Sequence, residues 1–337
     1  MFGIYRTTLA MMVVFQHFYG WIPLGGYAVF AFFCLSGFLM TLLMCEEYSG
    51  RPGDFLLNRF LRLYPAYWVT VALTAGLILV KGLPPVLNEW HWGLPTEGWE
   101  ITLNALYIIH GDTIRLVPTA WAVTNELFFY VLIACGISLT PARSAVWLAA
   151  SIILAATQLH EEKFYFSLSA ASLAFAAGAC IYHAVKSDLG ERIVSSAAFP
   201  LASMAALALV TFFLAAGVIP NKGMLSIYTM MLVLAPFMIL LYRYNPGSGL
   251  KRADNAIGTL SYPIYLCQYT PLLVLGGEPP HFWINAPWFR AAIVGLTLLI
   301  AAAIAYLVDR PIERMFRERI RARTSHRLWT PVSAARS

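Results

Sequence analysis

The fold this sequence predicts is an all-α integral membrane protein, a bundle of about ten transmembrane helices with both termini cytoplasmic. Three observations carry that reading. The chain is 59% hydrophobic and only 12% charged, with a mean hydropathy of +0.67, whereas soluble domains carry roughly one quarter charged residues. Its apolar residues fall in long uninterrupted runs, so the two-residue alternation of a membrane β-barrel is absent. Its basic residues segregate to one side of those runs.

The runs lie at about 4–22, 26–45, 65–80, 119–138, 144–159, 164–182, 197–219, 223–242, 257–276 and 291–308. Most approach the roughly 20 residues that a helix needs to cross about 30 Å of hydrocarbon. The first carries Arg6 at its inner end, and its interior His17 and lack of a small-residue cleavage site argue against a cleavable signal. Pro65 suits the first turn of the third. Between the third and fourth, 101–110 is apolar but too short to cross, so 81–118 reads as one external loop with a re-entrant or interfacial helix. With ten crossings, 18 of the 23 Lys and Arg fall inside, and only Lys81, Arg115, Lys163, Lys222 and Arg290 fall outside. That asymmetry fixes the orientation. Residues 1–308 therefore form the membrane domain and 309–337 a basic cytoplasmic tail. From Arg310 to Arg327 the tail interleaves seven Arg with Glu313, Glu318 and apolar residues, the pattern of an amphipathic helix on anionic lipid. The net charge of +6 follows from orientation and tail, and no nucleic-acid partner is expected.

Only two titratable side chains lie deep within the apolar runs: His17 and Glu126. An ionisable group in hydrocarbon costs several kcal/mol unless paired or hydrated, which makes both functional candidates. By helical rise both fall in the outer half at comparable depth, close enough to meet or to share a pocket. Neutral imidazole is the natural general base for an acceptor hydroxyl. Glu126 either serves that base or bonds Asn125 or Tyr262 as a structural carboxylate. Arg6, eleven residues before His17, sits at the inner face as an anchor or a ligand group.

Arg59 and Arg62, three apart in the inner loop before the third run, share one face of any helical turn. Paired guanidiniums bind phosphate well, and positive-inside anchoring explains the same charges without a ligand. Ser36 and Gly37, inside an aromatic stretch, permit close helix approach; Ser36 as a nucleophile lacks a supporting Ser-His-acid spacing. Trp90, Trp92 and Trp99 read as an interfacial belt or a platform for sugar rings. His91, His110, His160 and Asp112 show no metal-ligand spacing, and no metal is expected. The odd set Cys34, Cys45, Cys135, Cys180 and Cys267 reads as small buried hydrophobes.

Taken together, these residues resemble the membrane-bound acyltransferase-3 family, which includes O-acetyltransferases of bacterial polysaccharides. Arg6 and His17 fit its Arg–ten residues–His pattern, and Phe32 to Phe38 resembles its FF-x-x-SGF stretch. Arg59-Phe60-Leu61-Arg62 with Tyr64-Pro65 is similar to its R-x-x-R-x-YP run, and Asn58 replaces a frequent preceding arginine. Trp121, Glu126 and Tyr130 fit its W-S-L-x-x-E-x-x-F-Y pattern, with Ala122 in the serine position. Leu260 to Leu266, including Tyr262 and Tyr265, resembles LSY-x-x-YL, and Gln268 stands where many members have histidine. Asp309-Arg310-Pro311 resembles the closing E-R-P.

The resemblance implies an enzyme of a bacterial inner membrane that moves an acyl group, acetyl by default, from cytoplasmic acyl-CoA to a saccharide or other hydroxyl. In that scheme Arg59 and Arg62 hold the phosphates of acetyl-CoA, His17 is the base, and Glu126 and Arg6 assist. Ser36, Trp121, Tyr262 and Tyr265 line the substrate path. Exopolysaccharide, O-antigen, a Nod-type oligosaccharide and a macrolide are all compatible acceptors. A proton-coupled transporter or flippase is the alternative, and a membrane glycosyltransferase a third class. Transporters often show repeats and broken midplane helices; glycosyltransferases usually carry acidic external motifs.

Overall fold

The computed structural model describes residues 2–20, 24–82, 91–109, 113–158, 164–216, 223–244, 247–275 and 286–315. Among them the chain is helical and forms no strand, the one β contact being an isolated bridge from Trp92 to Arg115. The helices are α1 Gly3–Tyr19, α2 Leu24–Leu42, α3 Pro52–Lys81, α4 Gly98–Leu106, α5 Ala120–Ala134, α6 Pro141–Gln158 and α7 Leu168–Lys186. They continue as α8 Asp188–Ser195, α9 Ala198–Ala215, α10 Met224–Arg243, α11 Ser248–Gly258, α12 Ser261–Cys267, α13 Thr270–Val274 and α14 Pro287–Ile304.

Each of the ten predicted apolar intervals contains helix. Among the described residues, five stretches are long and apolar enough to cross a membrane: Leu24–Glu47, Pro52–Lys81, Leu168–Lys186, Met224–Arg243 and Pro287–Met315. A sixth arises if α8 and α9, bent by 77° at their junction, count as one. Two intervals hold helices shorter than expected, and a third is broken. α1 and α5 have 17 and 15 residues, and the interval 257–276 is split into α12 and α13.

α3 corrects the expected third crossing. It begins at Pro52, so Arg59 and Arg62 lie on helix rather than in a loop, and Pro65 sits inside it rather than in its first turn. Proline at position 52 satisfies the helix start instead, since its missing N–H would be an orphan there. α2 and α14 each run on through a π-helical turn, Leu43–Glu47 and Ala305–Asp309. Single π turns inside α-helices recur at functional sites.

Small residues set the helix packing. A Cβ built at Gly37 would lie 2.1 Å from the Phe175 carbonyl oxygen, and one at Gly178 would lie 2.0 Å from that of Cys34. The backbones of α2 and α7 thus touch, the arrangement that small residues permit between membrane helices. α1 is seated in the same way, because Gly3 and Gly258 leave no room for side chains between α1 and α11. Buried Asp254 of α11 accepts the amides of Gly3 at 3.0 Å and Ile4 at 2.9 Å. This supplies an N-cap from another helix, with a carboxylate at the positive end of the dipole. At the other end of α1, Gln16 Oε1 accepts from the Gly25 and Gly26 amides at 2.5 and 3.2 Å, joining that end to the start of α2.

α4 is re-entrant. Tyr64, Tyr67 and Trp68 of α3 donate to the carbonyls of Leu106, Asn104 and Ala105 at 2.8, 2.7 and 2.9 Å. These are carbonyls of the last helical turn, which lack their usual i+4 amide partners. They meet α3 roughly 20–25 Å short of Lys81 by helical rise. Tyr107 then turns the chain with φ of 61°, stacked at 3.5 Å on Tyr67. Its carbonyl accepts from Thr124 of α5, and Asn104 ties the turn to Ile114 and Leu116. Non-helical backbone survives at such depth only when protein satisfies it.

Candidate active site

A cavity of about 450 Å³ runs between α1, α2, α3, α5 and α12. Along α2 its lining extends from Val29 to Glu47, about 27 Å at 1.5 Å per residue. Most of its wall is apolar, with Phe32, Phe33, Leu35, Leu39, Met40, Leu43 and Val123 prominent. Its charged members are Arg6, Arg59, Arg62, Glu47 and Glu126. Three guanidiniums against two carboxylates favour an anionic guest.

The sequence-predicted residues Arg6, Ser36, Arg59, Arg62, Glu126, Tyr262 and Tyr265 all line this cavity. Glu126 is held from both sides: Ser36 donates to Oε1 at 2.7 Å and Tyr130 to Oε2 at 3.1 Å. The expected partners Asn125 and Tyr262 are engaged elsewhere. Asn125 donates to the Phe166 carbonyl at 3.4 Å and Tyr262 to that of Leu63 at 2.8 Å. Arg6 and Arg62 act on the Glu126 carboxylate through space. Arg59 donates to the side-chain oxygen of Asn58 and points Nη1 at Met40 sulfur, 3.5 Å away. Its buried Nε has no partner among the described residues. Arg62 reaches Glu313, beyond the π turn of α14, at 3.9 Å. The closing Asp309 shares with Arg62, Tyr262 and Glu313 a small cleft beside the main cavity.

His17 and Trp121 are not brought into the cavity wall. Trp121 packs its ring against Phe33, Tyr165 and Phe166. His17 lies at the surface at the far end of α1, where Nδ1 is 2.8 Å from Gln268 Oε1 and the ring is 5.1 Å from that of Tyr269. Among the described residues no hydrogen bond or ion pair joins it to Glu126. Chain direction explains the separation. His17 adjoins Gln16, which bonds the first turn of α2, whereas Ser36 and Glu126 meet 11 residues further along α2, about 16 Å away by rise. The comparable depth inferred from sequence assumed that α5 starts at the outer face. The contacts instead set Glu126 against Ser36, well along α2, and leave His17 next to Gln16 at the start of α2.

Sequence reasoning missed four supporting residues. Asp254 was the acid in an otherwise basic inner segment, and Asn58 and Gln268 stood out only as departures from a pattern. Gln16 carried no signal beyond its neighbour His17. Trp92, read as belt or platform, is buried with its indole N–H on the Leu116 carbonyl at 3.0 Å, while Trp99 is exposed. Trp90, His110, Asp112, His160 and the tail beyond Met315 lie outside the described residues.

Comparison with known proteins places this arrangement. The chain matches the model of an acyltransferase domain over residues 3–306. It is 25% identical over 316 residues to the exopolysaccharide production protein ExoZ of Rhizobium meliloti, covering 88% of this chain and 92% of that one. It is 32% identical over 168 residues to protein 2 in the picA locus of Rhizobium radiobacter, covering 44% and 88% respectively. A 97-residue stretch is 33% identical to nodulation protein 10 of Rhizobium leguminosarum bv. viciae, covering 24% of this chain and 25% of that protein. No solved structure matches the chain. The domain match spans nearly the whole helical bundle and takes in every residue of the cavity except Phe2: the chain belongs to the membrane-bound acyltransferase-3 family.

Proposed function

We propose that this protein is a bacterial inner-membrane O-acyltransferase, with ten crossings and cytoplasmic termini, that moves acetyl from acetyl-CoA to a hydroxyl of an extracytoplasmic saccharide. The observation that carries the reading is the cavity itself. It is narrow, lined mostly by apolar groups, about 27 Å long, and has Arg6, Arg59 and Arg62 in its wall. Its form suits a donor with an anionic head and a slender thioester arm, since guanidiniums bind phosphate oxygens bidentately. The similarity to an exopolysaccharide production protein supports a polysaccharide acceptor.

In this scheme Arg59 and Arg62 hold the phosphates, and the thioester arm passes Ser36 and Glu126 towards Tyr265. The acceptor hydroxyl approaches His17 from outside. His17 Nε2 takes the hydroxyl proton as the oxygen attacks the thioester carbonyl. The tetrahedral adduct then collapses, the carbon–sulfur bond breaks, and CoA leaves as a thiolate that takes up a proton. Glu126, held by Ser36 and Tyr130, balances the guanidiniums rather than serving His17.

The test is transfer of radiolabelled acetyl from acetyl-CoA to a crude envelope polysaccharide fraction by membranes carrying wild type, His17→Ala or the Arg59→Ala, Arg62→Ala pair. Base-labile label in saccharide with wild type alone is the expected result. Equal transfer by His17→Ala overturns the mechanism, and the absence of acetyl-CoA binding to purified wild type overturns the enzyme reading in favour of a transporter.

A further inference from the structure

Gln268 is fully buried at the C-terminal end of α12, and both ends of its amide are engaged. Nε2 donates to the Tyr265 carbonyl at 2.9 Å, and Oε1 lies 2.8 Å from His17 Nδ1. A carbonyl oxygen only accepts, so the first bond fixes which way the amide faces. The oxygen is thereby turned towards the imidazole, and the only group that can satisfy it there is an N–H on Nδ1. In neutral imidazole one ring nitrogen donates and the other accepts. Binding the proton at Nδ1 therefore leaves the lone pair on Nε2.

We propose that Gln268 is a positioning residue that fixes His17 in the Nδ1–H tautomer and presents Nε2 as the base. This rests on the reading of His17 as the base of acyl transfer. The carbonyl that orients Gln268 belongs to Tyr265, which lines the donor cavity and also accepts from Thr119 Oγ1 at 3.0 Å. One backbone oxygen thus ties the wall of the cavity to the ring that stands beyond it. Among the described residues, Gln268 and Tyr269 from the α12–α13 break meet the imidazole. Among the described residues, the amide oxygen is the hydrogen-bond partner that distinguishes the two ring nitrogens. The tautomer with its proton on Nε2 has no lone pair there to receive the acceptor's proton.

The experiment combines two readouts on the full-length protein in lipid nanodiscs. Nitrogen-15 spectra of histidine-labelled protein, with His17 assigned by its loss in His17→Asn, report the tautomer whether or not the protein turns over. Acetyl-transfer kinetics, with acetyl-CoA and the envelope polysaccharide fraction, report its consequence. Wild type is expected to show Nδ1–H at His17, Gln268→Leu to lose that preference, and Gln268→Glu, which keeps an acceptor oxygen, to retain it. Turnover should fall roughly 10- to 100-fold in Gln268→Leu at an unchanged KM for acetyl-CoA, and recover in Gln268→Glu. An Nε2–H signature in wild type overturns the proposal, as does a Gln268→Leu protein with unaltered spectrum or turnover. If wild type shows the Nδ1–H signature but transfers no acetyl, the positioning stands and the acyl-transfer reading fails.

Discussion

Substituting Gly37 with alanine puts the packing of α2 on α7 to a quantitative test. The new Cβ would sit 2.1 Å from the Phe175 oxygen and 2.8 Å from the Phe175 carbonyl carbon. An ordinary carbon–oxygen contact needs about 3.3 Å, so the helices must part by roughly 1.2 Å. The obstacle is backbone, which no rotamer change relieves. Inserting a group into a close-packed interior costs about 1–3 kcal/mol, and this site belongs at the upper end. The same movement shifts Ser36, the adjacent residue, relative to Glu126 on α5 and disturbs their 2.7 Å bond. Thermal unfolding in detergent, followed by intrinsic tryptophan fluorescence, should therefore show Gly37→Ala melting roughly 5 °C below wild type. Acetyl transfer should fall with it. Gly295→Ala on α14, where a Cβ meets nothing within 4 Å, is the control and should melt at or above wild type. A Gly37→Ala protein that melts within about 1 °C of wild type and keeps full activity would refute the close-contact argument.

Further outcomes follow from the site and its supports. Arg59→Ala and Arg62→Ala should each raise the KM for acetyl-CoA roughly 10- to 100-fold, the equivalent of about 1.5–3 kcal/mol per charge-assisted contact, with kcat less affected; acetyl-CoA titrations of membranes check it. Ser36→Ala leaves Glu126 with one donor instead of two, and turnover should drop about tenfold, whereas Ser36→Thr, which keeps the hydroxyl, should drop less. Asp254→Ala uncaps α1 one turn before Arg6 and should lower stability by about 1–2 kcal/mol, read by thermal unfolding, with Asp254→Asn in between. Tyr107 gives a rank order. Glycine relieves the left-handed backbone by about 1 kcal/mol, yet either small residue deletes a fully buried ring worth about 3–5 kcal/mol. Melting temperatures should therefore run wild type, then Tyr107→Gly, then Tyr107→Ala.

Much of this was readable from residue order, and the failures share a cause. Hydropathy located helix in all ten intervals because burying backbone polar groups in lipid leaves few other forms. The cavity residues Arg6, Arg59, Arg62, Ser36, Glu126, Tyr262 and Tyr265 were nameable because charge and hydroxyl groups stand out against apolar sequence. Depth was not readable. Helical rise counts residues from an assumed starting plane, and nothing in the sequence sets the start of α5 against that of α1. Pairing was unreadable for a related reason. Nothing in the order of residues says that Glu126 faces Ser36 and Tyr130, or that Gln268, two positions after Leu266, turns back onto a ring 251 residues away. Such contacts depend on helix rotation, which near-uniform apolarity around a membrane helix leaves unmarked: α2 and α5 are hydrophobic on every side.

The descent of α4 also dictates an order of assembly. A nine-residue helix is too short to cross a bilayer on its own, and the side chains that donate to its three terminal carbonyls come from α3. While α3 is being inserted the segment after it must wait in water. It can dock only once Tyr64, Tyr67 and Trp68 face it and Thr124 of α5 has arrived to close the turn at Tyr107. A stretch from the first third of the chain thus settles only after a helix that follows it in sequence. A substitution among those receivers would show itself first as a chain that inserts with correct topology and then ages into a protease-sensitive form at 98–109.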